Sequence, residues 1–171
     1  MKKLIFLFSL VLVFGCKSKK AVAEKPAEVK TAKVAVAEVD PELKEKAYDL
    51  GRRVLMTCNI SKFKPFNTSE ATPTVIKNMT KERLTRTCLK FRLKYGDFRD
   101  LELIEVYKVK KEKTTVFRYK ALYEKKIANK ELRLTMNENN QVSSVKSMDW
   151  VDDFQKKKQL PQAKPQPKTP N

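Results

Sequence analysis

Residues 101–124 read LELIEVYKVKKEKTTVFRYKALYE, and their hydrophobic pattern repeats every two positions. That period predicts one strand from Leu101 to Lys111 and another from Thr114 to Glu124. In the second, Phe117, Tyr119, Ala121 and Tyr123 share one face, and Arg118, Lys120 and Glu124 share the other. The same alternation continues downstream. Glu131 to Asn137 turns Leu132, Leu134 and Met136 to the buried side, Glu138, Asn139 and Asn140 form a turn, and Gln141 to Trp150 is the last strand. Four consecutive strands with short connections predict an antiparallel meander.

Upstream the period lengthens to that of a helix. Asp40, Pro41 and Glu42 combine an N-cap, a proline at the first helical position and an acid at the positive end of the dipole. Leu43, Ala47, Leu50, Val54 and Cys58 then fall on one stripe, which predicts a helix from Pro41 to about Cys58. A loop containing Phe63, Pro65 and Phe66 leads to Thr72 and Pro73, the start of a short second helix through Val75, Ile76 and Met79. Thr80 caps a third helix with the stripe Leu84, Cys88, Phe91 and Tyr95, closed by Gly96. Helices segregated before a sheet indicate an α+β domain over residues 41–154.

Both ends have a different character. Met1, Lys2 and Lys3 precede an apolar run from Leu4 to Phe14, the pattern of a signal peptide over residues 1–15. Eleven helical residues would span only about 17 Å, against a hydrocarbon core of about 30 Å, so a permanent membrane span is disfavoured. The run ends in Val13-Phe14-Gly15-Cys16, which resembles the lipobox of bacterial lipoproteins. The resemblance implies diacylglycerol on the Cys16 thiol, cleavage before Cys16 and a membrane anchor. Ordinary secretion is the alternative, because Val13 and Gly15 also suit a general signal peptidase. From Cys16 to Asp40 the Ala, Val, Lys and Glu composition predicts a disordered tether. Residues 155–171, rich in Lys, Gln and Pro, predict a disordered tail.

Lys and Arg number 38 against 20 Asp and Glu, a formal charge of +18. In a cytoplasmic protein this excess would suggest nucleic acid. Export removes that partner and leaves anionic headgroups or envelope polyanions, with the Lys-rich tail as one contact surface and simple solubility as its alternative role. His is absent, which removes the commonest general base and transition-metal ligand. Three Gly in the whole chain leave no glycine-rich phosphate loop. Asp97, Asp100, Glu102 and Glu105 alternate with apolar residues and are expected on the solvent side or entry turn of their strand. Cys58 and Cys88 both lie on inward helical stripes. Outside the cytoplasm they either form a disulfide or remain two buried thiols; without His or a CxxC spacing, zinc binding and thiol catalysis are disfavoured.

The order of helices followed by a bent meander from about Pro41 to Phe154, with Tyr95-Gly96-Asp97-Phe98 entering the first long strand and residues 136–142 closing a hairpin, resembles the nuclear transport factor 2-like superfamily. A cystatin-like helix-on-sheet fold is the alternative. The resemblance implies a cone in which Phe91, Tyr95, Phe117, Tyr119 and Tyr123 face a common interior that holds a small apolar ligand. Alternatively these rings simply fill the core. Together these features predict a lipid-anchored envelope protein with a binding or structural domain, no cofactor, no metal and no catalytic residues. The competing expectations are an enzyme using a carboxylate and Tyr alone, with a raised carboxylate pKa inside the aromatic cavity, and a polyanion binder acting through the Lys tail.

Overall fold

A computed structural model describes residues 31–154. The signal peptide, Cys16, the start of the tether and the tail from residue 155 lie outside the described residues. The described chain is α+β, with three helices packed against an open five-stranded antiparallel sheet of order β1-β2-β3-β4-β5.

The strands are β1 (Thr31–Val34), β2 (Phe98–Val109), β3 (Thr114–Tyr123), β4 (Lys130–Met136) and β5 (Val142–Asp149). The last four are the expected meander. The fifth corrects the tether, because Thr31–Val34 pairs with Val106–Val109 of β2 and Val39 is buried in the core. This edge strand is held by its backbone ladder and by the Lys33–Glu105 ion pair at 2.7 Å, with three of its four side chains exposed. Its sequence therefore carries no alternating apolar signal. Register shifts between Phe98 and Asp100 and between Leu103 and Glu105 mark irregularities in β2, where a strand bends.

The helices are α1 (Pro41–Ile60), α2 (Pro73–Asn78) and α3 (Lys81–Tyr95). Asp40 caps α1 by accepting a hydrogen bond from the Leu43 amide at 2.8 Å, and Ser61 ends it in a left-handed conformation. Ala47, Leu50, Val54 and Leu55 on α1 pack over Leu101, Phe117, Tyr119, Leu132 and Leu134 of the sheet. Gly51 permits the closest approach: a Cβ there would meet Leu132 Cδ2 at 2.9 Å. At the end of α1 the Asn59 side-chain amide pairs with the Phe98 backbone, donating at 2.7 Å and accepting at 2.9 Å, and so fixes where β2 begins.

The loop after α1 is stitched down by Arg53, whose guanidinium makes two bonds to Glu70 at 3.0 and 2.7 Å and lies over the buried Phe66 ring. Glu70 and Thr72 then bond the Val142 backbone, joining the loop to β5. The β4–β5 hairpin turns on Asn137, whose side chain accepts from the Asn139 and Gln141 amides, with Asn140 left-handed.

Candidate functional site

Two places on the domain combine burial with unusual chemistry, one on each face of the sheet. On the helical face, a cavity of about 130 Å³ lies between α1, α3, the end of α2 and strands β4 and β5. Its lining includes Val54, Met79, Leu84, Phe91, Leu132 and Val145, and the Cys58–Cys88 disulfide also borders it. The cavity has a local cause. Of the fifteen residues of α3 only Cys88 and Tyr95 are buried, and β5 offers the short Val145 and Ser147 where larger side chains would close the gap. Thr87 brings a hydroxyl to the lining, already donated to the Arg83 carbonyl at 3.2 Å, and no carboxylate is among the lining residues.

The disulfide decides one alternative left open by the sequence. Cys58 and Cys88 are bonded, with their Cα atoms 4.6 Å apart, and pin α3 to α1. The five aromatic residues expected in one interior divide instead into two groups, and only Phe91 lines the cavity. Phe117 and Tyr119 stack at 6.3 Å in the packed core under α1. Phe91, Tyr95 and Tyr123 form a separate cluster with Phe98, their ring centroids 5.6 to 6.2 Å apart. Lys130 closes that cluster, its ammonium 5.1 Å from the Tyr95 ring while bonding Asp149 at 2.5 Å. Phe98 pairs with Tyr123 across β2 and β3 and their rings meet at 5.8 Å, so this cluster is filled by its own side chains.

Burial pushes the Tyr123 hydroxyl up to about 12, and that of Tyr119 higher still. The Tyr119 oxygen is buried with no hydrogen-bond partner among the described residues. Both phenols therefore stay protonated across the physiological range. Asp100 accepts from Tyr48 at 2.5 Å, and this bond, with the Leu101 amide, holds its carboxyl below the ordinary range.

The opposite face of the sheet holds what the sequence pattern concealed. Arg118, on the face of β3 opposite the aromatic residues, is fully buried, as is Glu131, and Glu105 is 8 % exposed rather than on a solvent side. Arg118 donates through Nε to Glu131 at 3.1 Å, through one terminal nitrogen to Glu131 at 2.7 Å and the Val151 carbonyl at 2.6 Å, and through the other to Glu105. Arg133 adds a bond to Glu131 at 2.6 Å. Burial alone would raise both carboxyls, but the bonds from Arg118 and Arg133 to Glu131, and from Lys33, Tyr107 and Arg118 to Glu105, hold them below their ordinary values. Residues 150–154 roof the network. The Arg118 guanidinium lies 4.4 Å from the Trp150 ring centroid, and Phe154 stacks on Tyr107 at 4.1 Å. Every donor direction with a carboxylate is satisfied internally, so the arrangement fastens the roof to the sheet rather than presenting a charge to a substrate.

The signal for this network was present as register. Glu105 pairs with Arg118 and Arg118 with Arg133 across three strands, with Glu131 two residues from Arg133 on the same face of β4, opposite Lys120. Opposite charges facing each other across strands, followed by Trp150 and Phe154, are recognisable only once the pairing is known.

By their architecture the described residues form an α+β fold of helices on one face of an antiparallel sheet. Comparison with protein-family models, with curated proteins and with solved structures gave no match. Among the described residues no helix is long and apolar enough to cross a membrane, and no group of three or more Cys, Asp or Glu is placed to hold a metal ion.

Proposed function

We propose that the protein is a lipid-anchored lipoprotein of the bacterial cell envelope, tethered through Cys16, whose α+β domain is a non-catalytic binding module held outside the cytoplasm. The observation that carries this reading is the pairing of a cleavable-looking leader ending in Gly15-Cys16 with a Cys58–Cys88 disulfide in the domain. Disulfides persist in oxidising compartments and are rare in the cytosol, so the bond favours export independently of the leader. The resemblance to the nuclear transport factor 2-like superfamily rests on the stretch from α1 to β5, three helices followed by four strands, which β1 precedes.

The cavity suggests what the module accommodates. At about 130 Å³ it is smaller than the roughly 300–1,000 Å³ typical of whole-ligand pockets. An apolar space of this size takes a single ring or the end of an acyl chain. A partner protein presenting such a group, or a small apolar ligand, fits the lining. No cofactor, metal or nucleic acid enters this proposal.

Labelling cells with radioactive palmitate tests the anchor. The wild type should incorporate label and Cys16→Ser should not; equal labelling of both, or none in the wild type, refutes the proposal.

A further inference from the structure

The third helix has two unlike sides. Leu84, Cys88, Phe91 and Tyr95 turn inward, while Leu89 and Leu93, 63 % and 72 % exposed, lie on the outer side beside Arg86 and Lys90. Glu82 is the sole acid of the helix. Arg86 and Lys90 form no ion pair among the described residues. The β3–β4 loop abuts the C-terminal end of this surface. The Lys125 amide donates to the Tyr95 carbonyl at 3.0 Å and its ammonium to the Leu93 carbonyl at 3.2 Å. That loop adds Lys126 and Ile127, the latter 70 % exposed. Three large apolar side chains thus stand in water near Arg86, Lys90 and Lys126.

We propose that the outer side of α3, extended by the Lys125–Ile127 segment, docks on an anionic lipid bilayer. A helix lying in a membrane interface needs apolar side chains that enter the acyl boundary, accompanied by long cations whose heads remain at the phosphates; Leu89 and Leu93 beside Arg86 and Lys90 provide both. The charge is of the sign that anionic headgroups attract. The length of chain also permits contact: the fifteen residues from Cys16 to Thr31 reach at most about 50 Å when extended. The docking surface belongs to the folded domain and does not depend on acylation at Cys16; an anchor would only raise its local concentration.

The test uses the unacylated chain from position 16 to Asn171 with Cys16→Ser, sedimented with phosphatidylcholine vesicles with and without phosphatidylglycerol. Binding is expected only to the anionic vesicles, weakening as salt rises. Arg86→Glu with Lys90→Glu should lower the partition coefficient by about tenfold or more, since each cation near such a surface contributes measurably. Leu89→Ser with Leu93→Ser, which leaves charge unchanged, should also lower it severalfold. All these proteins keep the same Lys-rich tail, so the differences isolate α3. Far-UV circular dichroism and the intact disulfide check folding of these surface variants. Equal binding to neutral vesicles, or wild-type binding by both variants, overturns the proposal; the latter would assign the attraction to the tail. Because no acyl chain is present, neither result depends on whether Cys16 carries lipid in the cell.

Discussion

The two faces of the sheet are built from alternate residues of the same strands yet are held by opposite chemistry. Phe117 and Tyr119 point into an apolar core under α1, while Arg118 between them is equally buried within a cluster of carboxylates and rings. On the first face burial itself is the driving force, and each buried large apolar side chain contributes roughly 1.5–3 kcal/mol. On the second, desolvation opposes the arrangement, and the hydrogen bonds and ion pairs must offset it. Little net stability is therefore expected from the ionic face as a whole, although loss of Arg118 takes from both carboxylates the guanidinium they share.

Arg118→Met should produce the largest effect, roughly 3–5 kcal/mol in urea unfolding, because it leaves Glu105 and Glu131 buried without their shared guanidinium. Phe117→Ala should cost about as much on the apolar face, through lost transfer energy and a residual cavity. Acid separates the two. Glu105 and Glu131 titrate below the ordinary 4.5 in the folded state, so their contribution is fully present above that value and is lost as pH falls through the lower folded values. Phe117→Ala should retain this acid limb at reduced stability throughout, when denaturation is followed from neutral pH to below pH 4.5.

Reduction of the Cys58–Cys88 bond, or its replacement by two Ala, should cost about 3–4 kcal/mol in the chain-entropy picture for a separation of 30 residues. Calorimetry should show the loss equally at neutral pH and pH 5. Phe154→Ala removes the stack on Tyr107 and the ring beside Arg118 and Arg133; about 1–2 kcal/mol is expected, with faster amide exchange confined to residues 150–153 and the strands beneath. Gly51→Ala should have the smallest effect, about 1 kcal/mol destabilising. Alanine gains helix propensity, but its methyl meets Leu132 and Leu101 at 2.9 and 3.2 Å.

The helices and the meander were legible because their signals are local. Asp40-Pro41 and Thr80 sit at the observed helix starts and Gly96 at a helix end, and the alternation of Leu132, Leu134 and Met136 matches burial in β4. β1 was hidden because an edge strand is fixed by backbone pairing, and Thr31-Ala32-Lys33-Val34 looks like the lysine- and alanine-rich segment before it. The ionic face was hidden for a related reason. Glu105 reads as solvent-side charge on β2 and Arg118 as polar-face charge on β3, and they become a buried pair only when the two strands are placed in register and residues 150–154 fold back over them. The aromatic residues were located on the correct elements. Their division into a core pair and an end cluster depends on where α1 and α3 lie over the sheet, which no periodicity reveals.

The central claim is that a lipid on Cys16 holds a disulfide-stabilised domain outside the cytosol. Intact mass spectrometry of the protein extracted from membranes, before and after reduction, tests both parts together. The account predicts a chain that begins at Cys16, carries acyl mass there and gains two hydrogens when Cys58 and Cys88 are reduced. A soluble, unacylated product with both thiols already reduced would contradict it.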